Sequence, residues 1–438
     1  MRDAQVVVVG GGPAGSSAAY FMARAGLDVV ILDRARFPRD KPCSEYMSPQ
    51  ASRILEEMGA LSAVESSGAA QLTGMRVHAP NGATIHGEFL ADHGYRGYRD
   101  RGLAVRRTVL DAILLERARE AGARVIEGVR VTDVVRDVSG RVIGVRTNCA
   151  LRDYTAGSGL NCGPRNSDQS GPADANKLFA DMIIGADGLR SVVGRRLGLI
   201  RSSRWPRRIA LVTHYRKVRG VHRFGEMHVD RGGYLGIADV GNGLANVAVV
   251  VPVSRAAEIA ADRTEFFESW IAERPRIAEL FTAAERVDPV QATGPFASAA
   301  RRAWTPGAAL VGDAADFFDP FTGEGIYTAL RGGELLAGHV VQSMADRRSA
   351  ARSAGDAAIR AYDGVRRAEF SGKWRVERLV GAAIAFPALI NRAANVLSRR
   401  RDMADLLVGV VGDFVPAREV LSPRYLLRLL LPAPAGGA

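Results

Sequence analysis

Gly10, Gly12 and Gly15 stand in Gly-x-Gly-x-x-Gly spacing, with Pro13 and Ala14 between the last two. Glycine permits a tight turn and lets backbone approach a pyrophosphate. That group prefers the free N–H groups and positive dipole end of a helix N-terminus. Asp33 follows at roughly the 20-residue distance where an acid accepts hydrogen bonds from a ribose diol. Dinucleotide binding is therefore expected, although this motif alone does not separate FAD from NAD. Two further Gly/Asp turns follow apolar runs, Gly185-Ala186-Asp187-Gly188 and Gly312-Asp313, and Asp319 to Gly325 holds Pro320, Gly323 and Gly325. The other candidates are single residues. Cys43 is a candidate redox or proton-donating thiol. Arg107, or its neighbour Arg106, is placed to pair with phosphate. Cys149 and Cys162 fit no zinc spacing and are expected to be incidental thiols. The seven histidines form no HExxH pair, so no metal site is expected; His214, His222 and His228 are candidates to line a pocket.

These residues need elements to hold them. Val6–Val9 is a short apolar run leading into the glycines, and Ser16–Ala25 has helical composition that Gly26 stops. Val29-Val30-Ile31-Leu32 is a second apolar run, and Asp33 ends it. Strand, glycine turn, helix, strand and acid make a βαβ unit. Val105–Ala121 has helical periodicity. Strands are expected at Arg124–Glu127, Val129–Val135, Arg141–Arg146, Ile209–Tyr215, Tyr234–Val240 and Leu244–Val251, and a structured stretch at Leu178–Gly188. Helices are expected near Ala256–Ala272, at 326–345 and over 355–431. Residues 148–177 are rich in Gly, Ser, Asn and Asp and are expected to form a long mobile loop.

Length and composition bound the rest. A chain of 438 residues exceeds one ordinary core, so two or three domains are expected. Hydrophobic residues at 47% and charged residues at 24% exclude disordered, collagen-like and disulfide-scaffold classes. Three cysteines fit a reducing, cytoplasmic setting. The first residues run directly into Val6–Val9, so no leader is expected. The net charge of +12 comes mostly from arginine, with lysine only at 41, 177, 217 and 373. No zinc-finger spacing, RNP motif or continuous basic helix accompanies it, and nucleic acid is not an expected partner. Between Arg366 and Arg401, basic residues interleave with Trp374, Leu379, Phe386 and Leu389. That pattern suggests peripheral contact with a membrane or an apolar channel.

The ordered motifs carry a resemblance. Ile183-Ile184-Gly185-Ala186-Asp187-Gly188, then Arg190-Ser191, resembles the DG motif of the flavoprotein monooxygenase superfamily. Leu310-Val311-Gly312-Asp313-Ala314-Ala315, then Asp319-Pro320-Phe321-Thr322-Gly323-Glu324-Gly325-Ile326, resembles its second FAD motif, in the form typical of the geranylgeranyl-reductase-like branch. Arg36 to Cys43 and Arg107-x-x-Leu110-Asp111 are similar to the same branch. The resemblance implies FAD, bound by Gly10, Gly12, Pro13, Ala14, Gly15, Asp33, Arg34, Cys43, Ser44, Arg107, Val131, Asp187, Gly312, Asp313, Pro320, Gly323, Gly325 and Ile326. Within it, Asp313 is placed for ribityl hydroxyls. The turn into Ile326 faces the flavin's pyrimidine end.

The implied fold is mixed α/β. It has a Rossmann-like FAD domain (1–69, 101–204 and 297–345) and a p-hydroxybenzoate-hydroxylase-like antiparallel-sheet substrate domain (70–100 and 205–296). A helical region, 346–438, follows. Prenyl reductases of the branch carry a Tyr-x-Trp-x-Phe-Pro type motif. Here Gly233–Asp239 keeps only Tyr234, the second catalytic candidate beside Cys43. The halogenase Trp-x-Trp-x-Ile-Pro motif and lysine are not evident. The expected activity is therefore NAD(P)H-driven, FAD-dependent monooxygenation of a small lipophilic aromatic, polyketide or quinone-like substrate. Alternatives are reduction of prenyl C=C bonds and a flavin-binding partner protein without turnover.

Overall fold

The computed structural model describes residues 2–150, 175–202, 205–349 and 352–430. Strand Ala4–Val9 lies between Val29–Asp33 and Lys177–Gly185, parallel to both. Ala308–Leu310 and Arg124–Glu127 extend the sheet on either side, also parallel. A strand with neighbours on both edges and cover on both faces has no polar side, which explains the unbroken Val6–Val9 run. Val142–Thr147 and Val131–Arg136 join this sheet antiparallel to its parallel core.

Helix Pro13–Arg24 crosses the sheet against helix Gly325–Ser349. Close approach there needs a residue without a side chain: a Cβ on Gly333 would come within 2.7 Å of the Ala18 nitrogen. Ser17 Oγ donates to the Leu330 carbonyl at 2.7 Å and fixes the crossing. The second FAD-type motif is thus locked to the first.

The second sheet runs Glu285–Arg286, Arg208–Arg216, Ala245–Pro252, Gly233–Asp239, Phe224–Asp230, Gly74–His78, Thr84–Glu88, with Gln291–Thr293 also on Arg208–Arg216. Its pairs are antiparallel except Phe224–Asp230 with Gly74–His78. Both faces are covered. Leu211, Leu235, Val247 and Val249 pack on Phe267 and Trp270 of helix Arg263–Ala272. Val212, Met227, Tyr234 and Val250 pack with Ile384 and Ile390 of the C-terminal helices.

The single helix expected over 256–272 is broken. Asp262 turns extended at φ −150°, and its carboxylate caps the second half by accepting from the Thr264 and Glu265 N–H groups. Gly102–Ala104 pairs with Ala70–Leu72 on one edge and Tyr46–Met47 on the other, in a small sheet of its own.

The C-terminal region wraps both parts. Helix Arg352–Ala385 packs on Gly325–Ser349, and Arg401–Val411 packs on strand Thr84–Glu88. Among the described residues no single helix is long and apolar enough to cross a membrane. Most of the expected loop 148–177, residues 151–174 with Cys162, lies outside the described residues. Its flanks are tied down: the Thr147 N–H donates to Asn176 and the Asn148 N–H to Arg130. Lys177 already belongs to a strand. Cys149, expected to be an incidental thiol, is instead disulfide-bonded, and Cys43 is free.

Candidate active site

One cavity of about 830 Å³ runs from the glycine turn to the inner face of the second sheet. At its first end Gly10 takes φ +107°, and a Cβ there would collide with the Ala186 carbonyl. Gly12, Pro13 and Ala14 line the cavity. No side chain caps the helix that follows, which leaves its N-terminal end to a ligand. The Asp33 carboxylate accepts from the Gly11 N–H at 2.7 Å and the Ala35 N–H at 2.8 Å. It holds the turn to the second strand and keeps lone pairs free for a ribose diol.

Two guanidinium groups face this turn. A Cβ on Gly12 would meet Arg39 Nη2 at 3.4 Å and Arg107 Nη2 at 3.8 Å. Arg107 is buried, so it is not a solvated arginine; it pairs bidentately with buried Asp111, both bonds at 2.7 Å. Burial works against its charge, but Asp111 and then Cys43 outweigh this and hold it firmly protonated. Arg39 reaches the same Asp111 at 2.9 Å and stacks over Phe37. Two cations on one carboxylate leave net positive charge against a helix N-terminus, so the turn fits a pyrophosphate. Arg106, the competing assignment, turns away to Asp288 at 2.7 Å.

Arg34, Cys43, Ser44, Val131, Asp187, Asp313, Pro320, Gly323, Gly325 and Ile326 also line the cavity, together with Tyr234. Gly15 and Gly312, expected to touch the cofactor, stand behind the wall. A Cβ on Gly15 would collide with the Gly10 carbonyl, and one on Gly312 would come within 2.7 Å of Ala14 Cβ. Both allow close packing there. Asp187 accepts from Ser191 Oγ and the Val192 N–H, so its carboxylate caps the next helix. Asp313 lies 3.5 Å from Lys41.

At the far end Asp319 accepts from the Phe321 N–H and starts a tight turn. Gly323 closes it at φ +71°, where a Cβ would press on the Tyr46 ring. Gly325 then begins a long helix, which points its N-terminus at the cavity. Asp319 also pairs with Arg208 and accepts from the Tyr234 hydroxyl at 2.8 Å. Burial, then the Asp319 charge, push the Tyr234 phenol well above its ordinary value, so it stays protonated. Its proton is committed to Asp319.

Cys43 is half-buried, and its Sγ accepts from the Glu45 N–H at 3.4 Å. Glu45, which the sequence did not single out, is buried in the left-handed region at φ +62°. Its carboxylate accepts from the Arg107 N–H at 2.8 Å, Asn246 Nδ2 at 3.1 Å and His214 Nε2 at 2.8 Å. Asn246 also donates to the Cys43 carbonyl at 2.8 Å. This cluster fastens the Cys43 segment to the second sheet. Glu377 is a second group the sequence missed; it lines the cavity from helix Arg352–Ala385. Burial, then the neighbouring Glu324 carboxylate, push its acid well above the usual range. Apolar spacing gave no signal for either.

Of the other histidines, His222 is exposed. His228 joins His78 around Glu226, at 3.2 and 3.6 Å from one carboxylate oxygen. Burial raises the Glu226 acid, but hydrogen bonds from His228 and His78 outweigh it and hold it down to about 2. The two rings stack with an interplanar angle of 13°, and one nitrogen of each ring and a Glu226 carboxylate oxygen all lie within 4.8 Å of one another. That spacing could hold a metal ion, although no metal site was expected from the sequence.

The chain matches the FAD binding domain family over residues 3–353. It is 30% identical over 344 residues to a menaquinone reductase of Mycolicibacterium smegmatis, covering 76% of this chain and 75% of the relative. It is 29% identical over 427 residues to digeranylgeranylglycerophospholipid reductase 2 of Methanopyrus kandleri, covering 95% and 96%. Its fold is similar to that of a geranylgeranyl bacteriochlorophyll reductase-like protein from Thermoplasma acidophilum, with TM-score 0.69, 21% identity and coverage of 98% and 95%.

Proposed function

The chain belongs to the FAD binding domain family and is an FAD-dependent oxidoreductase; on that premise we propose that it reduces a C=C bond of a long, prenyl-type lipophilic substrate. One observation carries this reading: a wall of the cavity is built from Ala210, Val212, Met227, Ala248, Val250 and Phe296. A hydrocarbon chain makes no hydrogen bonds, so its site must be apolar, with proton-bearing groups only where bonds change. A menaquinone reductase and a digeranylgeranylglycerophospholipid reductase, which match 94% and 95% of the chain, support the same reading.

Bound FAD would supply hydride transfer. The protein's part follows from the residues. The glycine turn, Arg39 and Arg107 would hold the pyrophosphate, Asp33 the ribose and Asp313 the ribityl chain. The Gly325 and Ile326 N–H groups and their helix dipole would stabilise negative charge at the pyrimidine end. Cys43 and Glu377 face the cavity, and one of them would deliver the proton to the second carbon while hydride goes to the first. An external two-electron donor, proposed as NAD(P)H, replaces the electrons. The apolar wall keeps water from the reacting bond.

A second reading, monooxygenation, is favoured by the Gly233–Asp239 strand, which keeps Tyr234 without the Trp and Phe-Pro of prenyl reductases. Anaerobic incubation with reduced cofactor and a prenyl quinone separates the two by mass. Gain of two hydrogens without oxygen supports reduction. A product carrying one added oxygen, formed only in air, would replace the first reading with the second.

A further inference from the structure

Helix Arg352–Ala385 stops at Phe386, and helix Pro387–Leu397 leaves at 113°. Pro387 lacks an N–H and cannot continue the first helix. The corner is apolar on both sides. Inward, Ile384 and Ile390 are buried against Val212, Met227 and Tyr234 of the cavity wall. Outward, all five residues from Ala385 to Leu389 are exposed. Phe386 and Leu389 are each 52% exposed, Leu379 is 53% exposed, and Trp205, which packs against Phe386, is 56% exposed. Exposed apolar residues are normally scattered singly; a contiguous patch marks a surface that meets something apolar.

The charge around the corner identifies what it meets. Arg375, Arg378 and Arg392 are exposed beside it. Arg375 and Arg392 have no carboxylate partner among the described residues, and no acidic residue occurs between Arg378 and Asp402. Apolar side chains flanked by exposed guanidinium groups without carboxylate partners match the interface of an anionic bilayer, where the former enter the acyl boundary and the latter meet phosphate. We infer that this corner is an interfacial anchor for anionic membrane. It seats the apolar wall of the cavity directly behind the lipid surface, so that a lipid-borne substrate passes inward across the corner. The route rests on the proposed lipophilic substrate; the anchor does not.

The test uses the full-length holoprotein and sedimentation with vesicles, either pure phosphatidylcholine or one-third phosphatidylglycerol. The wild type is expected to bind the anionic vesicles and to be released by salt. Phe386→Ser with Leu389→Ser should weaken partitioning on the order of tenfold or more, because two exposed side chains no longer enter the lipid. FAD content and melting temperature should hold, since neither side chain is part of the core. Equal binding by wild type and double variant, or binding to neither vesicle, overturns the anchor. A dimer that the double variant dissolves, without vesicle binding, assigns the corner to a second copy and also overturns it. Turnover tests the route separately. The double variant should lose turnover of a vesicle-embedded prenyl quinone and keep it on the same quinone in detergent. Vesicle binding without turnover in either form keeps the anchor and overturns the reductase reading.

Discussion

Replacing His214 by leucine should destabilise the holoprotein, and the loss should shrink as pH rises. His214 Nε2 lies 2.8 Å from Glu45, its Nδ1 lies 2.9 Å from Asp288, and both His214 and Glu45 are buried. A hydrogen bond to a charged group contributes about 1.5–3 kcal/mol, and stranding one partner of a buried ion pair costs about 3–5 kcal/mol. Glu45 keeps the Arg107 N–H and Asn246 in the variant, so the lower end applies, about 3 kcal/mol. Burial alone would pull the imidazole down, but the hydrogen bond and charge of Glu45 outweigh it, and the net shift is upward. A raised folded-state value stabilises fully below the unfolded value of about 6.5 and fades as pH climbs through the folded value.

The gap between wild type and variant is therefore widest near pH 6 and narrower near pH 8, by no more than about 1.36 kcal/mol per pH unit. A neutral imidazole still donates to Glu45, so a residue of the gap survives at high pH. Urea unfolding with excess FAD, followed by circular dichroism and flavin fluorescence, measures it. Glu45→Gln supplies the companion variant, and the pair combined should lose less than the sum of the single losses. A gap below about 1 kcal/mol, a gap that widens with pH, or strict additivity would refute the ion-paired clamp.

Three further outcomes follow from the site. Gly15→Ala should yield colourless protein that takes up no FAD, because its Cβ would drive the helix off the Gly10 carbonyl; absorbance after reconstitution checks this. Gly325→Pro puts proline at the first helical position, where the fold tolerates it, and removes one N–H facing the cavity. The flavin midpoint potential should fall at full occupancy in spectroelectrochemical titration, and an unchanged potential would detach this turn from the flavin ring. Glu226→Gln removes a carboxylate held down to about 2, whose stabilisation is complete above about pH 4.5 and lost as pH falls through the folded value. Wild type should thus lose about 2 kcal/mol more than the variant between these limits, read from acid unfolding curves.

What the sequence determined by itself is local. The glycine turn, Asp33, Asp187-Gly188, Gly312-Asp313 and the turn Asp319–Ile326 each sit on one short stretch of strand, turn and helix. There, residue type and spacing suffice to dictate backbone conformation. The mixed α/β architecture was implied by the family resemblance that those motifs carry. Tertiary structure decided which of those residues touch the cavity: Gly15 shares the spacing signal of Gly12, and Gly312 sits in a Gly-Asp turn, but both stand behind the wall and allow close packing. It also decided every polar cluster. Arg39 joins Arg107 on Asp111, and Glu45 joins His214 and Asn246, from segments far apart in the chain. Tyr234 was named from the sequence, but only the fold shows its hydroxyl committed to Asp319. The physical reason is common to all of these. A charge or hydroxyl is committed by the partner that burial brings to it, and strand register and helix packing choose that partner over distances that local spacing does not encode.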